Sequence, residues 1–467
     1  MQKISLTEQL VAGLEQRREE LYSDSVQALS RYYLLDWLGS AIGGMATETG
    51  KAFLNYGQPL ASGSSTVLGL DDGRSTEVAA LINGALSHIV EMDDVDRVSI
   101  IHPAAVIIPA ALAVADEMGA SAEQLLAAIA AGYEVAIRIG GAVGSQHYFH
   151  FHNTSTCGVF GAAMAAAWLY RLDQQQSVWA LGNAGTQAAG LWEFNTEGAQ
   201  SKPLHTGRAA ANGVLAAILS RAGISGARRI LEGERGFFAG LAPSGEASIV
   251  VERLDGPLKI AEVSIKPHAS CRHTHAPIDA TLQLRERLLS KSPNEELNNI
   301  LSVQVAVYKA AQVLCDKADP QTVADAKFSL QYCIATALLR GEVGLSQFGP
   351  DHLWAFDIRQ LMDKIVISVD DTHESRYPEC WSAAVTVTTY QSDTYTIEIA
   401  NPKGDPENPL SQNELETKFR LLAEYGLTQE SVSADTDRLL DWVTALAGTS
   451  PVDTSLLAAL YPHASRV

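Results

Sequence analysis

Along most of the first 250 residues, apolar side chains return every three to four positions. In Leu29-Ser-Arg-Tyr-Tyr-Leu-Leu-Asp-Trp-Leu-Gly-Ser-Ala-Ile-Gly-Gly they follow the helical period and stop at a glycine pair, a usual helix end. The same spacing predicts helix pairs over 5–45, then helices over 76–92, 103–118, 121–144, 157–171, 175–190 and 207–222. Ser121 with Gln124 reads as a capping box, and Asp173 and Ser177 offer caps for the next helix. Almost nothing in this region reads as strand.

The pattern changes after about residue 250. Ser302-Val-Gln-Val-Ala-Val-Tyr alternates polar and apolar, as a half-buried strand does. Lys364-Ile-Val-Ile-Ser-Val, Ser382-Ala-Ala-Val-Thr-Val-Thr-Thr and Thr394-Tyr-Thr-Ile-Glu-Ile repeat the period, and Tyr390-Gln-Ser-Asp between the last two suits a hairpin turn. Helices are expected at 276–290 and 322–340. Asn401-Pro-Lys-Gly-Asp-Pro-Glu-Asn-Pro is a loop, after which 411–425 and 434–447 are helical and expected to pack back on the first domain. The fold class is therefore mainly α: a large helical domain over 1–265, completed by 406–467, and a smaller α+β lid domain over 266–405. A binding pocket is expected where the two meet.

Composition narrows the function. A chain of 467 residues suits two domains, and 46% hydrophobic residues with a mean hydropathy of +0.02 allow a large core. A net charge of -20 and a pI near 5.0 speak against a nucleic-acid partner and against an anionic membrane surface. Five cysteines without CxxC spacing give neither a disulfide framework nor a zinc knuckle. The start, MQKISLTEQL, lacks the apolar core of a signal peptide, and the apolar run 103–115 is too short to span a bilayer; cytoplasmic residence is the expectation.

Against that background, three distant stretches concentrate acid–base and anion-holding groups. The first runs from Glu91-Met92-Asp93-Asp94 to His102. Neighbouring carboxylates raise each other's pKa and suit proton transfer, although Asp93 and Asp94 equally suit helix caps paired with Arg97. His102 titrates in the useful range. The second is Ser201-Lys-Pro-Leu-His205, where Lys202 precedes a helix entered near His205 and suits a substrate carboxylate, each such bond being worth about 1.5–3 kcal/mol. The third is Lys266-Pro-His-Ala-Ser-Cys-Arg-His-Thr-His275. There Arg272 can grip a carboxylate in two places, Cys271 lacks a nucleophile signature, and His273 and His275 suit caps for the helix that follows.

His147, His150 and His152 raise a metal, but no HExxH, Cys/His pairing or acidic calcium loop accompanies them, so a metal is the minority reading. His152, before a small-residue helix, reads as an acid–base group. On spacing alone Tyr332 is a core aromatic, and Trp192-Glu193-Phe194 suit either a pocket wall or core packing.

Several strings resemble the MmgE/PrpD family over nearly the whole chain: Ala85-Leu-Ser-His-Ile-Val-Glu-Met-Asp-Asp, His102-Pro, Gly132-Tyr-Glu-Val, His152-Asn-Thr-Ser-Thr-Cys-Gly, Ser201-Lys-Pro-Leu-His-Thr-Gly-Arg, Gly233-Glu-Arg-Gly-Phe-Phe, Lys266-Pro to Cys271-Arg-His-Thr-His, and Ala326-Lys-Phe-Ser-Leu-Gln-Tyr. The family is known for 2-methylcitrate dehydratase, cis-aconitate decarboxylase and iminodisuccinate epimerase. The resemblance implies a homodimer with a cofactor-free site. It also implies catalytic roles for His102, His152, Lys202, Lys266 and Tyr332. Glu91, Asp93, Cys271, Arg272 and His275 are expected to bind substrate. Glu91, Val95 and Cys271 stand where the decarboxylase pattern has Asp, Thr and His, which points away from cis-aconitate decarboxylation. The expectation is a hydro-lyase of a small hydroxy di- or tricarboxylate, with an epimerase of a related dicarboxylate as the alternative.

Overall fold

A computed structural model describes residues 4–290, 299–427 and 432–460, so the first three residues of the amino-terminal segment read above lie outside it. The chain divides into two compact units, residues 1–263 with 412–467, and residues 264–411.

The first unit is helical. Its principal elements are α1 (Leu6–Gln16), α2 (Asp24–Met45), α3 (Thr76–His88), α4 (Ala104–Met118), α5 (Ala122–Ala142), α6 (Gly158–Leu169), α7 (Gln174–Gly185) and α8 (Lys202–Arg221). Every residue of α6 is buried, as expected of a helix that is apolar all round. Helix α5 is long and apolar enough to cross a membrane, but it is a core helix, 94% buried over its most apolar window. Its capping box is present: Ser121 Oγ accepts from the Gln124 amide and the Gln124 side chain accepts from the Ser121 amide.

Small residues let these helices approach closely. A Cβ on Gly161 would lie 2.6 Å from the Gly132 carbonyl oxygen, which fixes the α5–α6 crossing. A Cβ on Gly207 would lie 2.3 Å from the Leu81 oxygen, and the Thr206 hydroxyl donates to the Gly84 carbonyl at 2.9 Å. The α3–α8 crossing thereby brings the start of α8 toward the end of α3.

Three boundaries differ from the sequence reading: α7 ends at Gly185 rather than 190, and two others differ for local reasons. Helix α3 ends at His88 rather than 92, because Glu91 has φ of 60°, outside the right-handed region. Helix α8 begins at Lys202 rather than 207, since Pro203 falls in its first turn, where a missing N–H costs nothing. Asp173 caps α7 and Ser177 is buried inside it.

The second unit holds α9 (His275–Leu289), β1 (Ile300–Val307), α10 (Leu330–Arg340), β2 (Ile365–Val369), β3 (Ala383–Thr389) and β4 (Thr394–Ile399). Sheet order is β2-β1-β3-β4. Strands β1 and β2 run parallel with Val303 opposite Ile365; β3 is antiparallel to both neighbours, Val305 opposite Val385 and Val387 opposite Tyr395. Helix α9 packs on β3 and β4, and α10 packs on α9. The helix expected over 322–340 is broken: Val323–Lys327 ends, and Ser329 starts α10 afresh by accepting from the Tyr332 amide.

After the second unit the chain returns to the first. Helices α11 (Gln412–Gly426) and α12 (Val432–Ala445) pack on α2. Replacing Gly207 by Ala should lower the unfolding midpoint, at a cost of about 1–3 kcal/mol for overpacking. An unchanged midpoint in chemical denaturation would mean that the α3–α8 crossing yields freely.

Candidate active site

The turn after α3 carries three acidic residues into the interior of the first unit, and each is answered by a different group. Glu91 pairs with Lys202 on the first turn of α8, both side chains being about nine-tenths buried. Asp93 is fully buried; its Oδ2 lies 2.6 Å from His88 Nδ1 and 3.2 Å from His102 Nδ1. Asp94 caps α4, accepting from the Ala104 amide at 3.0 Å and from the Tyr133 hydroxyl at 2.7 Å. Burial pushes the Asp94 carboxyl well above the usual range, against the pull of the Tyr133 bond, with Asp93 nearby adding to the rise.

The hydrogen bonds fix the tautomers. His102 Nδ1 lies 2.7 Å from the Asp94 carbonyl oxygen, which can only accept, so Nδ1 carries the proton. In the neutral ring Nε2 then holds the lone pair. The same holds for His88 if Asp93 is ionised, leaving His88 Nε2 buried and without a partner.

His152 completes the group. Its amide donates to the Gly190 carbonyl at 3.0 Å, while the neighbouring Asn153 side chain donates to the Ser99 carbonyl and Thr154 Oγ1 accepts from the His102 amide. The His152 ring stacks on His88 at 5.6 Å and lies 6.4 Å from His102, 5.6 Å from His205 and 5.0 Å from Trp192. Neither of its ring nitrogens has a hydrogen-bond partner, an unusual state for buried polar atoms. Burial, then the positive fields of His88 and Lys202, hold its pKa well below the usual value, so the ring is neutral. His205, one turn after Lys202, is pushed down to about 4 by burial, His88 and Lys202. Phe194 packs edge-on against His205 and stacks on Trp192, whose indole donates to the Phe151 carbonyl. The Trp192 and Phe194 rings therefore border the imidazoles.

Among the described residues, His88, Asp93 and His102 form a set whose ligand-type atoms lie within 4.8 Å of one another. The His102 Nδ1 proton demanded by the Asp94 carbonyl suits this set to holding protons. The three-histidine run singled out earlier separates: His147 donates from Nδ1 to the Leu241 carbonyl and accepts from Thr156, a satisfied structural ring, and only His152 joins the cluster.

In the second unit Arg272, His275 and Tyr332 find partners within that unit. Arg272, expected to grip a substrate carboxylate, instead pairs with buried Asp405 and donates to the Lys403 carbonyl and to His275 Nδ1. His275 Nε2 donates to the Ser270 carbonyl, so both its nitrogens are engaged; burial and Arg272 hold its pKa far down. Neither His273 nor His275 caps α9. His275 is its first residue, and His273 bonds the Tyr308 hydroxyl and stacks on Trp381 at 4.2 Å. Lys266 is fully buried, beside the Ile265 amide bonded to the Gly404 carbonyl. Cys271 is buried next to Cys315. The Tyr332 hydroxyl donates to the Gln347 carbonyl at 2.5 Å, and burial raises its pKa to about 12.

Comparison with known proteins gives the class. The MmgE/PrpD N-terminal domain matches residues 9–249 and the MmgE/PrpD C-terminal domain matches 268–442, so the chain belongs to the MmgE/PrpD family. Its curated relatives include a cis-aconitate decarboxylase-like protein, oryM, of Aspergillus oryzae, 26% identical over 96% of this chain and 95% of the relative. Human cis-aconitate decarboxylase is 26% identical over 92% of this chain and 90% of its own, and that of Aspergillus terreus 27% over 93% and 92%.

Sequence reasoning did not place His88 in the site, nor count His205 among the functional residues. Both had a signal. His88 stands five residues before Asp93 at the end of a helix, and His205 lies at i+3 from Lys202, on the same helix face.

His205 gives a pH test. Its folded-state pKa is depressed to about 4, below the usual value near 6.5. The unfolded chain therefore takes the proton first, and this group's contribution to stability is complete above about pH 6.5 and lost as pH falls toward 4. Wild-type stability should fall more steeply over that interval than that of His205→Asn; parallel curves would mean His205 is protonated in the fold. Asp94 and Asp96, raised by burial, titrate in both proteins and cancel in the difference.

Proposed function

We propose that the protein is a lyase of the hydro-lyase kind, acting on a small hydroxy di- or tricarboxylate as a 2-methylcitrate dehydratase does. The observation that carries this reading is the pairing of two differently equipped imidazoles, His102 backed by Asp93 and His152 without any partner, beside the Lys202–Glu91 ion pair.

In this mechanism a substrate carboxylate displaces Glu91 from Lys202. His102 Nε2 takes the proton from the carbon next to that carboxylate, and Asp93 stabilises the imidazolium that forms. Lys202 holds the enolate-like charge. The neutral His152 ring donates its N–H to the departing hydroxyl, as a neutral imidazole can when burial suppresses its charged form. Hydroxide leaves hydrogen-bonded to that N–H and takes up the proton held on His102 Nε2, so that water departs, both imidazoles are neutral again, and a carbon–carbon double bond conjugated to the carboxylate remains. No step requires a cofactor. Lys266 and Tyr332 belong to the proposal on the family resemblance alone.

A second reading, decarboxylation, is favoured by the names of the relatives, and it needs only proton delivery after carbon dioxide leaves. Proton NMR of the pure protein in deuterium oxide with a panel of small di- and tricarboxylates separates the readings. The proposal expects an enoate with loss of water. Loss of carbon dioxide would establish the second reading, and deuterium entering beside a carboxylate with the skeleton intact would establish an epimerase. With the substrate in hand, His102→Gln and His152→Gln should each lower kcat by about 10²–10⁴-fold. Exhaustive chelation should leave turnover unchanged.

A further inference from the structure

The acidic turn 91–94 is an improbable backbone by itself, since Glu91 is a non-glycine residue at positive φ and such a conformation persists only where the surroundings hold it. Asp93 and Asp94 are held by the groups described above. Met92, between them and Glu91, is held from a segment more than three hundred residues further on. Lys418, in the middle of α11, is 5% exposed and donates from Nζ to the Met92 carbonyl at 2.5 Å. The same ammonium pairs with Asp36, which is 1% exposed on α2.

Helix α11 cannot easily shift on α2. A Cβ on Gly426 would lie 2.2 Å from the Ile42 carbonyl oxygen, and one on Gly39 would lie 3.1 Å from both Leu422 and Phe419. Leu415, Phe419, Leu422 and Ala423 are all buried along the same face as Lys418. The Lys418 ammonium is thus a fixed point.

We propose that Lys418 is a positioning residue for the acid–base cluster: through the Met92 carbonyl it holds the turn that aims Asp93 at His88 and His102. This rests on reading that cluster as the reacting site, and it assigns a role in the site to helix α11, far from it in sequence.

Lys418→Met alone would leave Asp36 buried without its cation and would confuse positioning with folding. The informative set is built on Asp36→Asn, which removes the charge pair and keeps the Met92 contact. In that background Lys418→Met removes the contact, whereas Lys418→Gln restores a donor. Two readouts are taken: the imidazole nitrogen resonances of His88 and His102 in nitrogen-15-labelled protein, and kcat against KM. The expectation is wild-type-like resonances in D36N and D36N/K418Q and displaced ones in D36N/K418M. In D36N/K418M kcat should fall up to about 10²-fold, the size expected from a misplacement of about 1 Å, with KM little changed. Wild-type resonances and kcat in a folded D36N/K418M would overturn the proposal. Should that variant not fold, displaced resonances in a folded D36N/K418Q would overturn it and unchanged ones support it. The resonances need no substrate, so an error in the proposed reaction would show separately, as an absence of turnover in the wild type.

Discussion

The structure of the first unit depends on one constraint: three carboxylates within four residues are carried into a helical core, and a buried charge without a partner is too costly to keep. Each is met differently. Glu91 takes a cation, Asp93 takes two imidazoles, and Asp94 takes a helix amide and a tyrosine hydroxyl. Much else follows. Helix α8 must start at Lys202 to supply the cation, α4 must start at Ala104 to supply the amide, and Gly84 and Gly207 must lack side chains for α3 and α8 to lie close enough.

The differing partners also separate the chemistry of adjacent groups. Asp94 is tied at both oxygens to structural donors, which makes it a scaffold. Asp93, one residue earlier, faces the His88 and His102 rings, which exchange protons. Neither role follows from residue type. It is the turn geometry around Glu91 that sends one side chain to the helix start and the other to the histidines.

Much of this was legible in the sequence, and the failures have physical causes. The helical period located α4, α5 and α6 to within about two residues, because their burial is nearly complete and their apolar pattern unbroken. It overran α3, since nothing in the pattern shows that Glu91 adopts a left-handed conformation. It started α8 late, because a lysine followed by proline resembles a loop until the buried partner of the lysine is known. Within the site, His102, His152, Lys202, Glu91 and Asp93 were visible as polar residues in apolar surroundings, and the structure brings these five together. Arg272 looked the same in sequence, yet its charge is met by Asp405, some 130 residues away, and His275 is a neutral ring that accepts from Arg272, pairings that only folding discloses. Lys418 was invisible for the same reason.

The central claim is that His102 is held with its proton on Nδ1, facing Asp93 and the Asp94 carbonyl, so that Nε2 is the base. Nitrogen-15 NMR of the imidazoles in the wild-type protein near neutral pH tests it most directly. The account predicts a protonated Nδ1 on both His102 and His88, with the Nε2 of neutral His102 bare. A bare Nδ1 on His102 would contradict it, since the Asp94 carbonyl would then have no donor and Nε2 could not accept the substrate proton.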